Sequence, residues 1–176
     1  MEPKKMAITS VILGVVLVGL VIGVSVFTFQ SPDTDLLESG LQVPSDWEFD
    51  MSDGTTLRIS DLDGKIVLID LMATWCTYCI TQNTYLQTIY DTFAGPLEIV
   101  SLTIDRSETV AMMNDYKSDK GLTWAHGLDS SASFTNYFSV TSVPTLVLID
   151  GDGYFRYLHV GVWTEAVLTD KIASIM

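Results

Sequence analysis

Two cysteines with two residues between them, Cys76 and Cys79, are the residues of this chain whose type and spacing most directly indicate chemistry. A thiolate is the attacking species in thiol-disulfide exchange, and a second thiol three positions on can resolve the mixed disulfide that the first one forms. A bond between them closes only a tiny loop, so it would add little to the stability of the fold. We therefore expect a redox-active Cys76–Cys79 disulfide and no other cofactor.

The same spacing is half of a zinc site, and this leaves zinc or copper binding as a second interpretation. The missing ligands would have to be His126 and His159, which lie in distant and differently spaced segments. Both histidines are instead expected at strand or surface positions, and no metal ligand is assigned. Attachment of c-type haem is excluded, because it needs histidine directly after the second cysteine and this chain has Ile80.

The cysteines lie where a buried strand gives way to a helix. Residues 66–72 form a nearly continuous apolar run, which is typical of a strand buried on both faces of a sheet. Apolar residues then continue at helical spacing until Gly95 and Pro96. Because N–H groups at a helix N-terminus favour negative charge, Cys76 is expected to be an exposed nucleophile and Cys79 an inward-facing resolving thiol.

Asp70 interrupts the apolar strand six residues before Cys76. An ionised carboxylate is costly to bury, so the pKa of Asp70 is expected to be raised. The alternative is that Asp70 lies near the end of the strand, where water forms hydrogen bonds with its carboxylate.

The rest of the pattern predicts an α/β domain with a mixed sheet covered on both faces. A helix capped by Ser107 and ended by Gly121 follows the second apolar strand. The net charge of -13 argues against binding to nucleic acid or to anionic lipid headgroups. The predicted elements beyond the first strand and helix are a hairpin at 47–59, a strand at 97–104, a helix at 107–120, a strand at 122–128, a short helix at 133–138, a hairpin at 145–160 and a helix at 163–176.

An uncharged apolar run, Ala7–Phe29, is long enough to span a bilayer as a helix. Lys4 and Lys5 precede it and acidic residues follow it, so the positive-inside rule predicts a single-pass cell-membrane protein with a cytoplasmic N-terminus. A cleaved signal peptide is the alternative, although the run exceeds the usual apolar core and lacks a small-residue cleavage site. The expected organisation is a cytoplasmic segment at 1–6, a transmembrane anchor at 7–29, a tether at 30–44 and an extracytoplasmic folded domain at 45–176.

Motifs in the folded part resemble the thioredoxin superfamily and, within it, the membrane-anchored TlpA/ResA-like thiol-disulfide oxidoreductases. The resemblance covers about Trp47 to the C-terminus and rests on the segments Asp61–Lys65, Ala73–Cys76, Val143–Thr145 and Ile149–Gly153. It implies a thioredoxin-like fold, in which a central mixed sheet is flanked by helices and preceded by an N-terminal hairpin.

The resemblance also implies a substrate-binding surface. Pro144 would be a cis-proline facing the cysteines, and the neighbouring backbone at Val143 would pair with an extended substrate peptide, with Thr145 completing the motif. Trp75 would pack beside the thiols and shape the docking surface, plain core filling being the alternative. Asp70 would exchange a proton with the resolving cysteine through water.

Departures from the family pattern occur next to the cysteines. Thr77 and Tyr78, the two residues between them, are expected to tune the reduction potential. Relatives often have proline at the position of Tyr78 and a Glu-x-Pro sequence where this chain has Gln82 and Thr84. The redox direction therefore does not follow from the resemblance alone.

These features predict an extracytoplasmic thiol-disulfide oxidoreductase that acts as a reductant. By resemblance, its partners would be thiols and disulfides of exported proteins, apocytochrome c among them, and a membrane electron donor such as a thiol transporter. A disulfide-donating oxidant and a copper-delivery or binding module are the alternatives.

Overall fold

The computed structural model describes residues 40–176. The predicted anchor at Ala7–Phe29 and most of the predicted tether lie outside these residues. Within the described part of the chain, no helix combines the length and the apolar character needed to cross a bilayer.

A seven-stranded sheet forms the centre of the described part, in the order β2-β1-β5-β4-β3-β6-β7. Neighbours β3, β4 and β5 run parallel, whereas the β1–β2, β1–β5, β3–β6 and β6–β7 pairs are antiparallel. The predicted mixed sheet is thus confirmed. The strands are β1 (Glu48–Met51), β2 (Thr56–Arg58), β3 (Ile66–Met72), β4 (Leu97–Thr103), β5 (Ala125–Leu128), β6 (Thr145–Ile149) and β7 (Phe155–Val160).

Helices cover both faces of this sheet, as expected. Three of them place apolar residues in one core cluster with Cys76 and Cys79, and a short helix and a 3-10 turn pack on the opposite face. All seven residues of β3 are buried, because the strand lies between neighbours and between the two layers. The α-helices are α1 (Thr77–Thr92), α2 (Val110–Lys120), α3 (Ser133–Tyr137) and α4 (Glu165–Ala173), and the 3-10 turn is Ile59–Leu62.

The start of α2 differs from the prediction that Ser107 caps this helix. The cap is Thr109, whose hydroxyl accepts a hydrogen bond from the Met112 N–H. Ser107 is unsuitable because its N–H and hydroxyl both donate to Asp105 Oδ1 and form a turn before the helix. The helix ends at Gly121 as predicted, and the left-handed conformation there, with φ of 64°, is the reason for glycine.

Contacts with the domain begin before the predicted boundary at residue 45. Gln42 forms an isolated β-bridge with Tyr154, and Val43 is buried and donates its N–H to the Gly153 carbonyl. Residues 42–43, assigned from their polar surroundings to the tether, therefore belong to the domain. The apolar Val43 was the signal in the sequence that pointed to this contact.

Candidate active site

Cys76 and Cys79 form a disulfide at the N-terminus of α1. Cys76 is the N-cap residue of the helix, and its Sγ accepts a hydrogen bond of 3.1 Å from the Cys79 N–H. An N-cap position lies next to the free N–H groups of the first helical turn, which favour negative charge. Reduction would therefore leave the Cys76 sulfur where a thiolate is stabilised.

The prediction that Cys76 is exposed is wrong for this disulfide form. Only 4% of Cys76 is accessible, and Cys79 is fully buried as predicted. Cys76 is covered because its sulfur is bonded to the inward-facing Cys79 and both residues belong to the apolar cluster under the helices. Its accessible part faces a groove at the surface.

The groove has a volume of about 570 Å³ and runs from the cysteine motif to the segment before β6. Exposed aromatic rings stand on the cysteine side, since Trp75 is 68% and Tyr78 is 70% accessible. Of the residues predicted to bind substrate or tune the redox pair, the structure brings Trp75, Thr77, Tyr78 and Val143 to the groove. The lining residues are Ala73, Trp75, Cys76, Thr77, Tyr78, Ile104, Asp105, Thr141, Ser142 and Val143.

The Val143–Pro144 peptide bond is cis. Within the described residues, the backbone of Val143 makes no hydrogen bond, which leaves its N–H and C=O free to pair with an extended peptide. Pro144 itself is buried, and its carbonyl accepts a hydrogen bond from the Gly161 N–H. Thr145 is also buried and donates its hydroxyl to the Ser142 carbonyl, so it does not line the groove.

Trp75 is a surface residue, and the alternative of core filling is wrong. Its indole Nε1 donates to Asp105 Oδ2 at 2.7 Å, which fixes the exposed ring beside the cysteines. Hydrogen bonds from Ser107 and Trp75 lower the pKa of Asp105. Asp105 could not be identified from the sequence, because its contact with Trp75 joins residues 30 positions apart.

A second carboxylate, that of Glu108, binds the same loop. The N–H and hydroxyl of Thr74 both donate to Glu108 Oε1, at 2.9 and 2.6 Å. Glu108 is only 4% accessible. Glu108 could not be identified from the sequence either, because its contact with Thr74 joins residues 34 positions apart.

Asp70 lies in the middle of β3, is fully buried and, like Leu68 and Met72, projects into the layer that contains the cysteines. Its Oδ2 accepts a hydrogen bond of 2.8 Å from the Ser101 hydroxyl, whereas Oδ1 has no partner among the described residues. Burial raises the pKa of Asp70 to about 7, against a smaller opposing effect of the Ser101 hydrogen bond. The predicted buried acid is confirmed, and the solvent-satisfied alternative is wrong.

Gln82, one of the departures from the family pattern, has a structural role. Its fully buried side chain accepts from the Trp163 N–H at 2.7 Å and donates to the Trp163 carbonyl at 3.2 Å. These bonds connect α1 to the segment before α4. Helix α4 begins at Glu165 and not at Trp163 as predicted, because the backbone of the N-cap residue Thr164 is extended.

The two histidines do not meet at the cysteines. His126 is buried on β5, and burial lowers its pKa to about 4. His159 lies on β7 and stacks on Trp163. Across residues 40–176, no three His, Cys, Asp or Glu side chains are grouped so that they could hold a metal ion.

Comparison with protein families and curated proteins gives consistent matches. The family model of Redoxin matches residues 38–172. The thiol-disulfide oxidoreductase ResA of Bacillus thuringiensis (strain Al Hakam) is 26% identical over 173 residues, which cover 98% of each chain. ResA of Bacillus subtilis (strain 168) is 25% identical over 175 residues, or 99% of this chain and 95% of that protein.

Solved structures share the fold at lower sequence identity. StoA from Bacillus subtilis superposes with a TM-score of 0.63 at 20% identity, over 75% of this chain and 99% of that one. A thiol:disulfide interchange protein of the thioredoxin family from Chlorobium tepidum TLS gives 0.66 at 19% identity, over 78% and 98%. The described residues therefore have the thioredoxin-like fold.

Proposed function

Since the chain belongs to the Redoxin family and is a thiol-disulfide oxidoreductase, we propose that it reduces disulfides of exported proteins outside the cytoplasm. The observation that supports this most strongly is the Cys76–Cys79 disulfide at the start of α1, with Cys76 lining a groove. A client disulfide bound in this groove lies next to Cys76, the one residue of the pair that has any accessible surface.

The reaction transfers two electrons from the reduced cysteine pair to the client. The Cys76 thiolate attacks one client sulfur, an S–S bond forms between them, and the other client sulfur leaves as a thiolate. Cys79 then attacks the Cys76 sulfur, which forms the Cys76–Cys79 disulfide and expels the second client sulfur. Asp70 accepts the Cys79 proton in this second step, and the two client thiolates take protons from solvent.

The groove supplies two kinds of contact to such a client. The free backbone of Val143 offers a β-type pairing with an extended segment, and Trp75 and Tyr78 offer apolar surface next to the client sulfur. Both contacts are largely independent of client sequence. This suits a protein that acts on several exported proteins, apocytochromes awaiting haem among them.

The charges around the disulfide favour the reducing direction. The described residues that line the groove include the carboxylate of Asp105 and no lysine, arginine or histidine. The helix N-terminus is then the main feature that stabilises a thiolate, while burial of both cysteines opposes it. A less stable thiolate makes the dithiol form a better electron donor.

The proposed location depends on the N-terminal sequence. Ala7–Phe29 would anchor the chain with the domain outside the cytoplasm, where a membrane dithiol donor of the thiol-transporter type would reduce the cysteine pair again after each cycle. A membrane-impermeant maleimide tests this location. After intact cells have been treated with a reductant, the maleimide should label Cys76 and Cys79. Labelling that occurs only after lysis would contradict an external domain.

Trapping of clients tests the proposed activity. In a Cys79→Ser variant the second step is blocked, so mixed disulfides between Cys76 and exported proteins should accumulate and disappear on treatment with dithiothreitol. A Cys76→Ser variant is the matched control, because it keeps one thiol but loses the nucleophile. Equal trapping by both variants, or trapping by neither, would contradict the assigned roles.

A further inference from the structure

Among the described residues that line the groove beside Cys76, Asp105 is the one with a charged side chain. Its Oδ1 accepts hydrogen bonds from the N–H and the hydroxyl of Ser107, at 2.9 and 2.7 Å, and its Oδ2 accepts one from Trp75 Nε1 at 2.7 Å. A carboxylate has about four acceptor positions, so one position on Oδ2 is still open. Hydrogen bonds from Ser107 and Trp75 lower the pKa of Asp105, so the group is ionised at neutral pH.

The charge of Asp105 is not neutralised within the groove. None of the described residues that line the groove is a lysine, an arginine or a histidine, and the ion pairs of residues 40–176 do not include Asp105. The next residue, Arg106, lines the adjoining cavity together with Glu108 and Asp129, and it does not line the groove. The groove therefore presents a negative charge to any client that binds there.

The two aromatic rings of the groove favour the same kind of ligand. Trp75 is 68% and Tyr78 is 70% accessible, so each ring has a face open to solvent. The face of an aromatic ring is electrostatically negative, and a cation within about 6 Å of the ring centre is attracted to it. Both rings line the groove with Asp105. Three neighbouring groups thus attract positive charge.

The hydrogen bond between Trp75 and Asp105 places these groups in a favourable relation. An indole N–H lies in the plane of its ring, so Oδ2 of Asp105 lies at the edge of the Trp75 ring and leaves the ring faces uncovered. A planar cation stacked over this edge can direct an N–H to the open position on Oδ2. The guanidinium of arginine has this shape, whereas the ammonium of lysine is a compact charge that cannot stack.

We propose that Asp105 is a specificity-determining residue that, together with Trp75 and Tyr78, selects clients with an arginine beside the attacked cysteine. This inference rests on the proposed function and names the class of client. An acidic side chain at the same place in the client is repelled by Asp105, and a neutral one gains neither the ion pair nor the cation–π contact. The charge acts on docking and takes no part in the exchange of sulfurs.

Reduction of matched disulfide peptides tests the inference. Four peptides differ only in the residues on either side of one cysteine, which are arginine, lysine, glutamine or glutamate, and the reductant is the dithiol form of the full chain in mild detergent. The arginine peptide should have a kcat/KM about tenfold higher than the glutamate peptide, mainly through a lower KM, with lysine and glutamine between them. Raising the ionic strength from about 0.02 M to about 0.5 M should reduce this ratio to about threefold, which needs no variant.

Variants of Asp105 locate the origin of the preference. Asp105→Asn removes the charge and should lower the ratio of the arginine to the glutamate peptide to about threefold at low salt, and Asp105→Lys should reverse the order of the two peptides. Asp91→Asn is the matched control, because it removes one carboxylate from an exposed position of α1 that does not line the groove. It should keep the ratio of about tenfold. A general loss of docking cancels in these ratios.

The outcomes separate this inference from the proposed function. Equal kcat/KM for the arginine and glutamate peptides, or the same ratio in Asp105→Asn as in Asp91→Asn, would show that Asp105 does not select clients, and the reductase would stand. If the folded dithiol protein reduces none of the four peptides, the proposed function fails and the inference fails with it.

Discussion

The two sides of the Cys76–Cys79 disulfide differ in almost every physical property. The outer side is an open groove with exposed rings at Trp75 and Tyr78 and a free backbone at Val143. The inner side is a closed layer in which Asp70 is fully buried and bonded to Ser101. The difference indicates a division of labour: the outer side determines which clients dock, and the inner side determines when Cys79 loses its proton.

The largest expected effect is on the stability of the folded domain, and it arises from Asp70 on the inner side. Because the pKa of Asp70 is raised to about 7 in the folded state, folding favours the protonated form and the domain loses stability as pH rises from about 4 to above 7. Full ionisation corresponds to a loss on the order of 4 kcal/mol. Asp70→Asn, which mimics the neutral acid, should remove this loss.

Urea unfolding of the oxidised full chain in mild detergent, at pH 5 and pH 8, measures this effect. Asp70→Asn should be more stable than wild type at both pH values, and the difference should be clearly larger at pH 8 than at pH 5. The other titrating groups are common to both proteins and cancel in the comparison. An equal difference at both pH values would show that Asp70 does not titrate in this range.

The same substitution should slow catalysis. The amide introduced by Asp70→Asn cannot accept a proton, so release of the client from the mixed disulfide should be slower in this variant by about 100-fold at pH 7. Formation of the mixed disulfide depends on Cys76 and should change little. Rapid-quench alkylation followed by mass spectrometry separates the two steps. Slower formation of the mixed disulfide with an unchanged rate of client release would show that Asp70 acts on the attack by Cys76 and not on the step of Cys79.

A smaller effect is expected where α1 is connected to the segment before α4. Gln82→Leu leaves the buried N–H and C=O of Trp163 without partners and should destabilise the fold by about 2 kcal/mol. Urea unfolding measures this cost, with Gln87→Leu, at a half-buried position on the same helix, as a control. A loss of reduction rate without a loss of stability would show that Gln82 takes part in the chemistry instead.

The smallest effect is expected on the outer side. Trp75→Phe keeps an aromatic ring but removes the hydrogen bond to Asp105, so the exposed ring loses its fixed position. We expect KM for a protein client to rise by about threefold, since an exposed hydrogen bond contributes about 0.5–1.5 kcal/mol. Asp105→Asn should have a similar but weaker effect. A fall in kcat at unchanged KM would indicate that Trp75 acts on the redox step and not on docking.

The sequence predicted the parts of this site that depend on local pattern. The apolar run of β3, the strand-to-helix junction at Cys76 and the buried Asp70 all follow from residue periodicity and were found in the structure. The inward orientation of Cys79 follows from helix geometry in the same way.

Contacts between distant segments could not be predicted. Asp105 and Glu108 reach Trp75 and Thr74 across 30 and 34 positions, and no local pattern indicates which acidic residue of a loop turns inward. The burial of Cys76 also depends on a tertiary feature, the layer that encloses its bond to Cys79. The features that could not be predicted all concern the surroundings of the cysteines and not which residues are the cysteines of the redox pair.

The reduction potential of the Cys76–Cys79 pair tests the central claim most directly. The full chain in mild detergent is equilibrated with dithiothreitol or glutathione redox buffers, the thiols are counted by alkylation, and Cys76→Ser is the control. A reductant whose thiolate is stabilised mainly by the helix N-terminus should show a reversible two-electron couple at about -250 mV or lower. A value of about -120 mV would contradict the reducing direction, and the lack of a reversible couple in folded protein would contradict the oxidoreductase activity itself.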